Sequence, residues 1–305
     1  MSSPSPSPPS LLNRLLDPLQ AFLFPWRFML LAASFLPGTL LSIITTLNFG
    51  ALFSWDRFQS LWFGRFWSHA GPLVREAAES QVIPLLSGRV SRGQMISSQP
   101  AGGEGAAAGT TAAAHPPISG TVLEVGPGSG MWVSIFSASR LGKSGDIRKI
   151  YGVEPNPTIH PLLQAQIAAA GLQDTYEIVP FGIESLAESG RVPKESVDCI
   201  FTVLCLCSIP DPKRNIAELY GYLKPGGRWY VYEHVRCWPE QGWGIRMYQS
   251  FLNLIWPHFI GGCEMCRDTP RWLQEAGPWS EVDLASPAGE PWYLTMPHVI
   301  GVLTK

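Results

Sequence analysis

Downstream of residue 120, short apolar runs alternate with stretches of helical spacing. Thr121–Val125, Ile147–Val153, Tyr176–Pro180, Val197–Leu204 and Arg228–Tyr232 read as strands, being short, apolar and bounded by turn residues. Residues 131–142 (MWVSIFSASRLG), Thr158–Gly171 and Asn215–Leu223 read as helices between them, the second with a glycine stop. Strands that alternate with helices predict an α/β order. Upstream the pattern is different. Leu11–Trp26 is apolar with sparse charges and suits a short interfacial helix, and Phe28–Trp55 carries no charge at all. An uncharged apolar run longer than about 18 residues is a transmembrane candidate. Pro37-Gly38 interrupts it, so a kinked span and a re-entrant hairpin both fit, and a buried core helix is the competing reading.

Residues 1–10 (MSSPSPSPPS) have too little apolar surface to fold. Residues 11–92 then form a hydrophobic anchor with juxtamembrane helices, 93–118 an alanine- and glycine-rich linker, and 119–305 the chemical domain. Arg14 and Arg27 precede the uncharged run, whereas Arg57, Arg65, Arg75, Arg89 and Arg92 follow it. An excess of basic residues marks the cytosolic side of a span, which places the following domain in the cytosol. Trp55, Arg57, Trp62, Arg65, Phe66 and Trp67 mix aromatic and basic side chains. That mixture suits a lipid headgroup layer, or equally a helix packed on the next domain.

Composition sharpens this picture. Charged residues make up 15% of the 305 and hydrophobic residues 46%, against a charged share of about 25% in soluble domains. That deficit points to lipid contact and excludes a disordered chain. A net charge of −2 leaves no nucleic-acid footprint. The six cysteines fall into two distant groups, which suits a reducing compartment better than a disulfide framework.

Candidate chemistry begins with Gly126, Gly128 and Gly130, which follow the first strand and open a helix. Glycines so placed let a backbone turn tightly and approach a ligand closely. Glu124, beside this loop, would repel a pyrophosphate but would balance the amino group of S-adenosylmethionine, so the loop favours a methyltransferase over a dinucleotide enzyme. Glu154, with Pro155 and Asn156, ends the second strand, where a carboxylate accepts hydrogen bonds from ribose hydroxyls. Gly182, Ile183 and Glu184 follow the third strand and would lie beside the adenine. Thr202 and Val203 end the fourth strand, and the loop Cys205–Ile209 would border the methyl group, with Cys207 lining the pocket. His234 ends the fifth strand, where it would be either a general base or a structural hydrogen-bonder. Cys263 and Cys266 form a lone CxxC without a second ligand pair, so no metal is expected.

The segments LEVGPGSG, GVEPN, LCSIPDP and LKPGGRWYVYEH resemble class I S-adenosylmethionine-dependent methyltransferases. The tail is more specific. EHV, a Trp-rich stretch, GGC with Arg267 after it, WLQEAGPW and PHVIG resemble the methyltransferase-like 7 family, membrane-anchored alkyl thiol S-methyltransferases of the endoplasmic reticulum and lipid droplets. The resemblance implies a doubly wound, Rossmann-like sheet of seven strands, the last antiparallel, with Val282–Leu284 and His298–Leu303 as its final two. It implies S-adenosylmethionine as cofactor, a small apolar acceptor such as an alkyl thiol, and contact with membrane lipid. Neither nucleic acid nor an obligate protein partner is expected. Trp243, Met247, Phe251, Leu254, Trp256 and Phe259 would roof the acceptor site and face the membrane, or else pack in the core. Methyl transfer to oxygen, nitrogen or carbon of a lipid, quinone or secondary metabolite is the alternative activity, and a non-catalytic membrane scaffold is the remaining one.

Overall fold

A computed structural model describes residues 11–96, 113–137 and 146–305. The expected tail, the middle of the expected linker and the second half of the helix expected over 131–142 lie outside these residues. The first half of that helix is a single 3-10 turn, Val133–Phe136.

The sheet forms where the apolar runs stood. Strands β3 (Gly120–Val125), β4 (Ile147–Val153), β5 (Tyr176–Val179), β6 (Val197–Val203), β7 (Leu223–His234), β8 (Glu281–Ala285) and β9 (His298–Thr304) lie in the order β5-β4-β3-β6-β7-β9-β8. The first five are parallel, and β9 enters antiparallel between β7 and β8. A central strand covered on both faces must be apolar on both, which is why β3 and β6 read as continuous apolar runs. Their side chains alternate between two cores. Val122, Phe201 and Tyr230 face one core, with Ala78, Val82 and Leu86 of helix α3 (Trp55–Leu86) and Leu163 of α4 (His160–Ala169). Leu123, Ile200 and Trp229 face the other, with Ile216 of α6 (Pro212–Tyr220) and Leu273 of α9 (Thr269–Glu275).

The N-terminal helices are part of this body. Helix α3 covers one face of the sheet, and α1 (Leu11–Ala33) packs on α3 and on α8 (Trp256–Phe259). Their third core joins Met29, Ala32, Trp62 and Phe66 to Cys207, Trp256 and Cys263. The Trp62 indole N–H donates to the Ala32 carbonyl at 2.7 Å, and the rings of Phe28 and Trp256 stack 5.7 Å apart. Of the aromatic residues after Trp55, Trp62 and Phe66 are thus core residues.

The uncharged Phe28–Trp55 run is not one helix. It is shared between the end of α1, helix α2 (Leu36–Thr45) and a 3-10 turn, Phe49–Phe53. The break falls at Ser34-Phe35, ahead of Pro37, because a proline suits the first turn of a new helix and cannot supply an interior N–H. Within the stretch Leu16–Thr45 the most apolar 18-residue window has a mean hydropathy of 1.9 and is 22% buried, and the stretch is apolar and long enough to cross a membrane. Leu30 is 70% exposed and Leu41 61% exposed.

Helix α7 (Trp243–Asn253) presents Trp243, Met247 and Phe251 to the outside, and Leu254 follows them. The expected roof is therefore split, because Trp256 is buried and Phe259 packs on the third core. A clasp binds α7 to α1: the Trp26 indole N–H donates to the Tyr248 hydroxyl at 2.8 Å, and Phe22 stacks on Tyr248 at 3.9 Å. The flanks of the expected linker are ordered as well. β1 (Val90–Ser91) and β2 (Gln94–Met95) make a hairpin, and Tyr230 donates its hydroxyl to the Pro116 carbonyl at 2.6 Å.

Candidate active site

The carboxyl ends of β3, β4, β6 and β7 open into one cavity of about 960 Å³. Clefts at this end of a parallel sheet are where α/β folds bind ligands. The described lining includes Gly126, Gly128, Glu154, Pro155, Asn156, Gly182, Ile183, Glu184, Val203 and His234, all expected from the sequence. Helix α3 supplies the opposite wall through Phe63 and Trp67, and α1 supplies Phe24 and Phe28.

The glycine loop is built for close approach. Gly126, Gly128 and Gly130 have φ of +67°, +57° and +85°, a region that a β-carbon disfavours. A β-carbon on Gly128 would stand 3.3 Å from the Trp67 indole nitrogen, so that ring already covers the loop. One on Gly130 would meet Cβ of Gln166 at 2.8 Å, which shows that Gly130 serves the packing of α4 and does not line the cavity. Glu154 is held at the tip of β4. Its Oε2 accepts the Gly128 N–H at 3.0 Å and its Oε1 accepts the Asn156 N–H at 2.9 Å. Burial raises the carboxyl's pKa, and the two N–H donors work against that rise. Each oxygen retains a free lone-pair direction, which fits vicinal hydroxyls of a ribose. The residues present therefore fit a nucleoside-bearing cofactor.

Besides Gly130, two further expected cofactor residues lie off the lining. Glu124 does not reach the wall, because it points to the α3 side of β3, where its Oε2 accepts the Tyr176 hydroxyl at 2.7 Å. Its Oε1 is buried without a partner among the described residues. Burial pushes its pKa up to about 7, against the pull of the Tyr176 hydrogen bond, and the Glu154 charge adds to the rise. Thr202 points into the opposite core and accepts the Trp229 indole N–H at 3.0 Å. Both follow from strand alternation, which sends neighbouring side chains to opposite faces.

At the far end of the cavity stand Cys207, His234 and Cys263, all buried. His234 Nε2 is 3.1 Å from the Cys263 sulfur, and the Trp256 indole N–H donates to that same sulfur at 3.2 Å. The CxxC pair is split, since Cys266 faces the Gln249 amide oxygen at 3.8 Å. Sequence spacing hid the cluster, because its members come from the loop after β6, the end of β7 and the turn after α8. It also hid the supports. The buried Arg267 guanidinium donates to the carbonyls of Leu206 and Ile209 at 2.7 Å each, fixing the loop that carries Cys207. Gln249 Nε2 lies 3.0 Å from the carbonyls of Val235, Met265 and Thr295. Glu233 points away, accepting the backbone N–H groups of Cys205 and Leu206 at 3.3 and 3.2 Å.

Comparison with known proteins agrees with this geometry. The family described as "Methyltransferase domain" matches residues 103–277. The thiol S-methyltransferase TMT1B of Rattus norvegicus is 31% identical over 189 residues, covering 61% of this chain and 70% of the relative. The thiol S-methyltransferase TMT1A of Homo sapiens is 26% identical over 186 residues, covering 61% and 70%. An O-methyltransferase family protein from Burkholderia thailandensis overlays with a TM-score of 0.46 at 12% identity, over 82% of this chain and 60% of that one. The chain belongs to the methyltransferase-domain family, in its methyltransferase-like 7 branch, and is a class I methyltransferase that uses S-adenosylmethionine as methyl donor.

Proposed function

We propose that the chain methylates the sulfur of a small apolar thiol delivered from a membrane. The observation that carries this reading is the continuity of the cavity. It runs from the glycine loop and Glu154 to an end walled by Phe28, Trp256, Ile260 and Met296 and edged by Cys207, His234 and Cys263. The relatives named as thiol S-methyltransferases support the choice of acceptor atom.

When bound, S-adenosylmethionine supplies a methyl group on a sulfonium, open to in-line displacement. The chain's part is largely positioning, which alone can lower a barrier by several kcal/mol. Glu154 accepts the ribose hydroxyls, while Gly126 and Gly128 let the donor lie against the backbone. Gly182, Ile183 and Glu184 border the adenine. Trp67 and Phe63 close the cleft from α3 and keep water out. The apolar end holds the acceptor's alkyl part and turns its sulfur toward the methyl. A thiol attacks as thiolate, and its unperturbed pKa is about 8.5, so the acceptor end has to favour loss of that proton. His234 faces this point and is the catalytic candidate.

Attachment to the membrane falls to Leu16–Thr45, with the catalytic body in the cytosol, on the endoplasmic reticulum or lipid droplets. Phe24 and Phe28 of α1 line the cavity, which supports entry of acceptor from the lipid side.

The test is methyl transfer from labelled S-adenosylmethionine by detergent-solubilised full-length protein to matched alkyl thiols, alcohols and amines. Thioether products from the thiols are expected. Labelling of alcohols or amines at equal or higher rate would overturn the reading.

A further inference from the structure

We propose that Cys207, His234 and Cys263 form a site for a thiophilic divalent cation, zinc by its chemistry, with one coordination position open to the acceptor. This deepens the thiol reading and rests on it. The three donor atoms, two sulfurs and an imidazole nitrogen, lie within 4.8 Å of one another. Tetrahedral zinc, with bonds of about 2.3 Å to sulfur and 2.0–2.1 Å to nitrogen, spaces its ligands about 3.5–3.8 Å apart. Small side-chain rotations therefore suffice to close the set on one ion.

Two further observations favour a cation here over a bare hydrogen-bonded cluster. The Trp256 indole N–H points at the Cys263 sulfur, as donors do toward ligating thiolates. All three residues line the cavity, so the fourth position opens on the space assigned to the acceptor. Three protein ligands and one open position are the mark of a catalytic zinc site, whereas structural sites are closed by four.

Charge balance explains how such an apolar end tolerates a dication. Two thiolates neutralise it, so the ion with Cys207, Cys263 and His234 carries no net charge, and a neutral unit avoids the cost of burying an isolated ion. The acceptor R–SH binds through sulfur and releases its proton to water at the cavity mouth. Its thiolate brings one negative charge next to the sulfonium's positive one. A sulfur lone pair then forms the new carbon–sulfur bond to the methyl carbon. The electron pair of the breaking bond returns to the donor sulfur, giving two neutral thioethers. A thioether is a poorer zinc ligand than a thiolate, so the product leaves the open position. His234 thus acts as a ligand that holds the ion, and the thiol is ionised by the ion itself.

The experiment uses the full-length chain purified in detergent without chelator, with metal content measured by mass spectrometry. About one zinc per chain is expected. Cys207→Ser and Cys263→Ser should each lower occupancy at least tenfold while S-adenosylmethionine affinity, read by calorimetry, stays within about twofold. Loading cobalt(II) should give a thiolate-to-cobalt absorption band that changes when hexanethiol is added. A wild-type chain that holds no zinc and takes up no cobalt would overturn the proposal. So would zinc retained in the Cys207→Ser, Cys263→Ser double variant, or a cobalt band indifferent to hexanethiol. Failure of the thiol reading registers separately, as missing thioether product from a chain whose metal content is measured independently.

Discussion

Glu154 and Gly128 are joined between the tips of β4 and β3 by a 3.0 Å hydrogen bond from the loop's N–H to the carboxylate. Loss of that carboxylate would remove the proposed ribose acceptor and loosen the loop together. Glu154→Ala should weaken S-adenosylmethionine binding by about 1–3 kcal/mol, roughly five- to 150-fold in Kd. Gly128→Val should abolish binding, because its φ of +57° resists a branched residue and Trp67 already stands over the position. Calorimetric titration checks both, and wild-type affinity in the two variants would mean that the cofactor lies elsewhere.

Glu124 gives a prediction about pH. Its pKa is about 7 in the folded chain against an ordinary 4.5, so the native state holds a proton there that the unfolded chain has released. The resulting stabilisation is complete below about pH 4.5 and is lost as pH rises through about 7. Glu124→Gln cannot titrate. Relative to wild type it should gain stability between pH 5 and pH 8, by no more than about 3 kcal/mol. Urea unfolding across that range measures the difference, and a difference flat with pH would place Glu124 in a wetter setting.

Whether His234 takes the thiol's proton itself or holds the ion that ionises it, His234→Ala should lower turnover of alkyl thiols about 100-fold or more near neutral pH, with S-adenosylmethionine affinity unchanged. The deficit should shrink as pH passes the acceptor's own pKa, since solution then supplies thiolate. A deficit constant with pH would mark the residue as structural. Initial rates from pH 6.5 to 10 with one acceptor decide the matter.

Truncations test the join between helices and sheet. A chain beginning at residue 55 keeps α3 but loses Phe24 and Phe28 of the cavity wall and Met29 and Ala32 of the third core, so it should bind S-adenosylmethionine more weakly than the full chain while no longer sedimenting with membranes. A chain beginning at residue 119 loses Ala78, Val82 and Leu86, strips one sheet face of cover and should fail to bind. Full-length protein should resist washing with high salt; release by salt alone would make Leu16–Thr45 an internal helix.

The sheet was legible because its strands are buried on both faces, and continuous runs such as Ile147–Val153 stand out against helical spacing. The glycine loop and Glu154 were legible for a similar reason, since both sit at fixed offsets from strand ends. The direction of side chains was harder to read. Thr202 stands near the right strand end yet turns into the core behind the sheet, and Glu124 turns to Tyr176 on the α3 side short of the lining, a matter of alternation and local pairing that motif spacing does not encode. Helix α3 was ambiguous because its aromatic and basic residues serve a headgroup layer and a core equally well. The Cys207, His234 and Cys263 cluster left no local pattern, because three separate connections bring it together.

The clasp between Trp26 and Tyr248 sets the exposed Trp243, Met247 and Phe251 of α7 beside the apolar surface of α1. With that joint surface on a bilayer, the enzyme would sample its acceptor from the lipid phase, and partitioning would enter its kinetics. Each added methylene favours transfer out of water by about 0.8 kcal/mol, so KM expressed in aqueous concentration should fall about fourfold per CH₂ along an alkyl thiol series. Protein-free vesicles added to the assay would act as a competing reservoir, raising apparent KM in proportion to lipid volume while leaving kcat alone. Selectivity among thiols would then be set as much by their solubility in lipid as by any contact inside the cavity.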